Sequence, residues 1–170
     1  MGFVAEQEFD EVVISIGQLA GVDLGITWVH ELIIQPFCEA VVECDTTYYL
    51  TTPDFPVYIN PVRTGIDDLS CVGCMVIDAQ NVLTPDNTDY ATIEMIVEVL
   101  GSGSISVADA LYTWPAGTYA GFVIQDVIGI VQADLFEDII ISTWNDGQLV
   151  EARSGAELLD LSLLILFIST

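Results

Sequence analysis

The sequence predicts an all-β protein, a β-sandwich of jelly-roll type, and three observations lead there. β-Branched and aromatic residues gather in short runs separated by Gly, Pro, Asn and Asp. The better runs alternate with period two, so that Val12, Ile14 and Ile16 are expected to face a core while their neighbours face away. Helical periodicity is nearly absent. At 170 residues the chain suits one core better than two, and a single domain over residues 1–170 is the expectation.

Taken in order, the runs place strands near residues 8–16, 26–35, 46–51, 56–60, 74–78 and 88–99, after a strand-like start at Phe3-Val4. Further runs follow near 103–108, 118–125, 137–144, 148–152 and 158–167. Asp126 to Phe136 is the one segment read as admitting a turn of helix. The strongest local signal is Ile139 to Trp144, then Asn145-Asp146-Gly147, then Gln148 to Arg153. Asp-Gly accepts positive φ at little cost, so this stretch is a tight hairpin. A weak internal duplication accompanies it. Gly2-Phe3-Val4 and Phe9 to Ile16 recur as Gly121-Phe122-Val123 and Phe136 to Thr143, which would place two related strand pairs in one sandwich.

Composition narrows the function. An apolar fraction of 52% with 16% charged residues excludes an acidic disordered tail, which lacks the apolar surface to offset chain entropy. Twenty-six acidic residues stand against two basic ones, Arg63 and Arg153, for a net charge of −24. Nucleic acid and anionic membrane surfaces are poor partners for such a chain, because both are bound through Lys and Arg. The charge favours solubility and the attraction of cations such as calcium. A salt-adapted proteome would give a similar imbalance but does not call for so apolar a chain. The run from Leu158 to Ile168, interrupted by Asp160, is too short to cross a bilayer as a helix, so membrane insertion is not expected. Both ends read as cuts through a longer polypeptide, and without lysine no Lys–Asn isopeptide link can form.

Catalytic constellations are missing from the sequence pattern, and no enzyme activity is expected. His30, the single histidine, has no nucleophile or orienting partner near it in sequence and reads as an ordinary strand histidine with its ring on the polar face. The carboxylate pairs Asp10/Glu11, Asp67/Asp68 and Glu137/Asp138 are expected at solvated strand edges and turns, since neighbours on a strand point to opposite faces. No phosphate-cradling glycine motif is present.

Two features carry chemistry. Cys38, Cys44, Cys71 and Cys74 form an even set that favours two disulfides of unassigned connectivity; a zinc site and free thiols are the rival readings. The loop with Asp78, Asn81, Asp86, Asn87 and Asp89 gathers short oxygen-bearing side chains that can surround calcium, Asp86, Asn87 and Asp89 being the candidate ligands. The competing explanation is that these residues cap their own turn.

Phe55-Pro56-Val57-Tyr58-Ile59, Arg63-Thr64-Gly65, Cys71-Val72-Gly73-Cys74, Asn81-Val82 and Asp86 to Ile93 follow in an order that resembles repeat domains of large secreted surface adhesins from gliding bacteria with type IX secretion. Pro115 to Ile124, Ile141 to Gly147 and the opening Gly2 to Val12 fit the same pattern. The resemblance implies an extracellular, cell-surface adhesive or structural module, whose partners are neighbouring copies in tandem or in a filament, or surface polysaccharide. Asn81 to Tyr90 is also similar to a loop of discoidin-like galactose-binding β-sandwiches, but Thr84-Pro85 stands where that family has Asp-Gly, so no sugar-binding residue carries over. The alternatives are a carbohydrate-binding module of a secreted enzyme, which would need Trp28, Trp114 and Trp144 on one exposed surface, and a jelly-roll capsid or fibre subunit.

Overall fold

The computed structural model describes residues 1–17, 25–36, 46–67, 73–86, 88–95, 101–126 and 139–158. Two antiparallel sheets pack face to face. The first contains β1 (Gly2–Val4), β3 (Gly25–Pro36), β4 (Tyr48–Tyr49), β7 (Met75–Ile77), β8 (Ala91–Met95) and β10 (Thr118–Asp126). Its order is β1-β10-β3-β8-β7, with β4 also on β3. The second contains β2 (Glu11–Gly17), β5 (Val57–Ile59), β6 (Gly65–Ile66), β9 (Ser102–Asp109), β11 (Ile139–Asn145) and β12 (Gln148–Ser154). Its order is β12-β11-β2-β9-β5, with β6 also on β9. The pairs β1–β10, β2–β9 and β3–β8 are nested in sequence and alternate between the sheets, which is the jelly-roll winding the sequence predicts.

Alternation decides what is enclosed. Val12, Ile14 and Ile16 of β2 meet Ile139 and Ile141 of β11, Ile105 and Val107 of β9, and Val29, Leu32, Ile34, Ile93 and Phe122 from the other sheet in one buried cluster. Each such side chain, fully buried, contributes roughly 1.5–3 kcal/mol. Among the described residues only two short 3-10 segments, Ala79–Leu83 and Gly155–Glu157, break the β pattern. The helical turn expected within Asp126 to Phe136 lies outside the described residues beyond Asp126, and so does the apolar run beyond Leu158, which is itself in the core.

The predicted hairpin is present. Asp146 and Gly147 both have positive φ, 50° and 76°, and join β11 to β12 with Asn145 opposite Gln148. The weak duplication also acquires a geometry: Gly2 lies opposite Gly121 in the first sheet, and Ile14 opposite Ile141 in the second. The two segments therefore pair with each other, antiparallel, in both layers, each pairing centred on one equivalent pair. Gly2 and Gly121 must stay glycine there, because a Cβ on Gly121 would run into the Met1 carbonyl and one on Gly2 into the Ala120 carbonyl.

Candidate functional site

The outer face of the second sheet holds a polar network that the sequence gives no hint of. Glu11 opens β2 with its side chain on that outer face, opposite Ala108 of β9 and Trp144 of β11. The expectation of a solvated carboxylate fails for it, since its side chain is only 3% exposed. Burial is tolerated because every direction of the carboxylate finds a donor. Arg63 Nη1 donates to Oε1 at 3.1 Å and Oε2 at 2.9 Å, Asn60 Nδ2 donates to Oε1 at 2.9 Å, and the Ser106 hydroxyl also donates to Oε1. A buried carboxylate stripped of such partners would cost several kcal/mol.

Arg63 arrives from the segment between β5 and β6, which folds over the sheet. Asn60 shapes this segment: its side-chain oxygen accepts from Val62 N at 3.0 Å, and its carbonyl accepts from Arg63 N at 3.3 Å. Thr64 Oγ1 accepts from Ser106 N at 3.0 Å, Ser104 Oγ donates to the Arg63 carbonyl at 2.9 Å, and Asp67 N donates to the Ser102 carbonyl at 2.8 Å. The guanidinium lies 3.9 Å over the Trp144 ring and donates through Nη2 to the Gly147 carbonyl at 2.7 Å. One arginine thus clamps β2, β11 and the hairpin turn to the covering segment. Between them runs a groove of about 310 Å³ whose lining includes Val13, Ser15, Ser104, Ser142, Arg63 and Trp144.

Arg153 does a different job where the terminal strands of the two described sheets meet. Its Nη2 reaches Glu151 at 2.9 Å and Glu6 at 3.3 Å, its guanidinium stands 5.8 Å from the Phe3 ring, and Glu151 also accepts from Glu6 N at 2.7 Å. These contacts join β12 of one sheet to the segment after β1 of the other.

The residues singled out in the sequence are dispersed. His30 sits at a bulge in β3 on the outer face of the first sheet, its Nδ1 3.2 Å from the Asp89 carbonyl and its ring edge-on to Tyr90. Beside it a second depression of about 360 Å³ is lined by His30, Glu31, Val123, Ile124 and Gln125. Burial pushes the Glu31 carboxyl up from its usual range, and the His30 charge pulls it partly back. The chemistry-bearing part of this depression is a single carboxylate beside a histidine. Trp28 stacks on Tyr90 at 4.3 Å on this face, Trp144 lies on the outer face of the opposite sheet, and Trp114 packs with Tyr48 and Phe55 beside the core. The three tryptophans therefore form no common platform: the faces they occupy are set by strand parity, and Trp114 is drawn in by its bridge to Phe9.

In the acidic loop, Asp86 Oδ1 accepts from Thr88 N at 2.9 Å and Thr88 Oγ1 at 2.7 Å, a turn capped by its own side chain. These bonds hold the Asp86 carboxyl below its usual range. Asn81 Nδ2 ties the loop to the Tyr90 carbonyl at 3.0 Å, Asp89 N donates to the Asp86 carbonyl at 3.1 Å, and Asn87 lies outside the described residues. No cluster of three or more His, Cys, Asp or Glu side chains suited to a metal occurs among the described residues. Cys74 is disulfide-bonded and packs against the core, while Cys38, Cys44 and Cys71, and with them the connectivity, lie outside the described residues.

Comparison with protein-family models, curated proteins and solved structures finds no match.

Proposed function

We propose that this chain is an extracellular structural and adhesive module of a bacterial surface protein, a non-catalytic β-sandwich that works beside neighbouring copies of itself. The supporting observation is where the positive charge goes. The chain has two arginines and no lysine, and both guanidinium groups are held by carboxylates of the same sandwich, Arg63 by Glu11 and Arg153 by Glu151 and Glu6. Among the described residues the surface is left with carboxylates, hydroxyls, aromatic rings and single aliphatic side chains such as Val62 and Leu111, and with no guanidinium free of a carboxylate. Such a surface repels phosphate-rich polymers and suits hydroxyl-rich or cationic partners. The order of motifs that resembles surface-adhesin repeats supports the same reading, and so does the disulfide at Cys74, because disulfides persist outside the reducing cytosol. In this setting the Asp86–Asp89 loop is a candidate calcium support that would rigidify one end of the module.

The test is to label intact source cells with an antibody against the folded domain and to delete its coding segment. Surface staining together with loss of attachment to a glycan-coated or cell-coated surface is expected. Staining only after permeabilisation would overturn the proposal.

A further inference from the structure

We propose that the groove between Trp144 and the segment from Val62 to Asp67 binds a neutral saccharide. This inference rests on the adhesive reading for its biological sense and on the groove alone for its chemistry. The lining is made of hydroxyl groups set between apolar surfaces. Ser15 and Ser102 line it, and their hydroxyls have no hydrogen-bond partner among the described residues. Ser104 Oγ donates to the Arg63 carbonyl and keeps its acceptor capacity, whereas Ser142 Oγ accepts from Trp144 Nε1 at 3.1 Å and keeps its proton. A ligand meeting this wall must both donate and accept at several neighbouring points, which is what a ring of sugar hydroxyls does. Val62, Ile66 and the part of the Trp144 indole that Arg63 does not cover supply the apolar surface against which sugar C–H groups pack.

Charge decides between classes of ligand. The one cation lining the groove is neutralised by the Glu11 carboxylate, and Asp67 adds a negative charge at the exposed end. An anionic sugar or a phosphate is therefore repelled in a chain of net charge −24. A polyamine would find one exposed carboxylate and a row of hydroxyls that reward it little. The volume of about 310 Å³ falls at the small end of the range for small-molecule sites, about 300–1,000 Å³, and suits one or two sugar rings in an open cleft.

The experiment uses the full chain with its tryptophan indoles labelled by ¹⁵N, titrated in turn with cellobiose, maltose, chitobiose, mannobiose and lactose, then with putrescine and sialyllactose. At least one neutral disaccharide is expected to shift the Trp144 indole resonance saturably while leaving that of Trp28 in place. Ser15→Val together with Ser102→Val fills the groove and should weaken that binding about tenfold or more by removing hydroxyl contacts at an unchanged melting temperature. Should the double variant fail to fold, Ser102→Leu alone serves the same comparison. A shift of Trp28 in place of Trp144, or affinity unchanged by the filled groove, overturns the groove but leaves an adhesive module. Binding of putrescine or sialyllactose alone overturns the neutral class, and silence toward every sugar overturns the saccharide site, whatever the cell-surface labelling shows.

Discussion

Arg63 and Arg153 are the same side chain in two settings, and the contrast shows what burial does to an ion pair. Arg63 is 19% exposed and faces a carboxylate that is 3% exposed, with Asn60 and Ser106 completing the shell. Arg153 is 30% exposed, and its two partners differ, Glu151 at 7% and Glu6 at 77%. Removing one member of the first pair strands a buried charge. Removing Arg153 lets water solvate the exposed Glu6, while Glu151 keeps the Glu6 N–H as a donor. The first pair therefore specifies a structure, the folding of the 60–67 segment onto the sheet, while the second trims an edge.

The largest break in that comparison is Glu11→Ala. It leaves Arg63, Asn60 and Ser106 facing an apolar gap, and urea unfolding should show a loss of about 3–5 kcal/mol, the usual cost of uncoupling a buried pair. Arg63→Lys keeps the charge but gives up either the donation to Gly147 or one of those to Glu11, together with the planar stack on Trp144. A loss of about 1.5–3 kcal/mol is expected by the same measurement, with quenched and shifted Trp144 fluorescence. Arg153→Ala should cost less, about 1–2 kcal/mol, because Glu6 is exposed and Glu151 keeps one donor, and at about 1 M salt, where the screening length falls to about 3 Å, the part due to Glu6 should shrink. A salt-insensitive loss as large as that of Glu11→Ala would erase the distinction between the two arginines.

Two carboxylates without arginine sharpen the comparison at its small end. Glu31 is partly buried and its folded-state pKa lies above the usual 4.5, so ionised Glu31 opposes folding at neutral pH. Glu31→Gln is expected to raise the melting temperature slightly at pH 7, and the gain should fade as the pH falls through the raised value toward 4.5. Asp86 has the opposite sign. Its pKa is held below 3.8, so its turn contributes stability above that pH and loses it as the pH falls through the folded value. An NMR titration should place the Asp86 midpoint below 3.8, and Thr88→Val should move it part of the way back, since the Thr88 N–H still donates to the carboxylate.

The sandwich is legible in the sequence because each clue is local. Alternation along Val12-Ile14-Ile16 and the Asp146-Gly147 turn need only neighbouring residues to be read, and both occur where the pattern places them. The polar network beside the groove is not legible, because its parts are far apart in the chain: Glu11 meets Arg63 across 52 positions and Ser106 across 95. A glutamate heading an apolar strand looks the same in sequence whether solvent or a guanidinium covers it. With two basic residues in the chain, carboxylates must compete for each arginine, but Glu31, Glu94 and Glu151 also lie on strands, so this scarcity does not single out Glu11. Whether the tryptophans meet is equally hidden in the sequence, since Trp28 and Trp144 face outward from strands of different sheets.

The nesting of β1 with β10 also sets a timetable for synthesis. Gly2 pairs with Gly121, so the first strand has no partner until 119 more residues have been made, about 6–24 s at ordinary elongation rates. Ile14 waits longer still for Ile141. β2 and β3 gain their partners β9 and β8 sooner, so the inner pairs of each sheet can form while β1 still waits, and the two sheets are completed only when the last third of the described chain has been made.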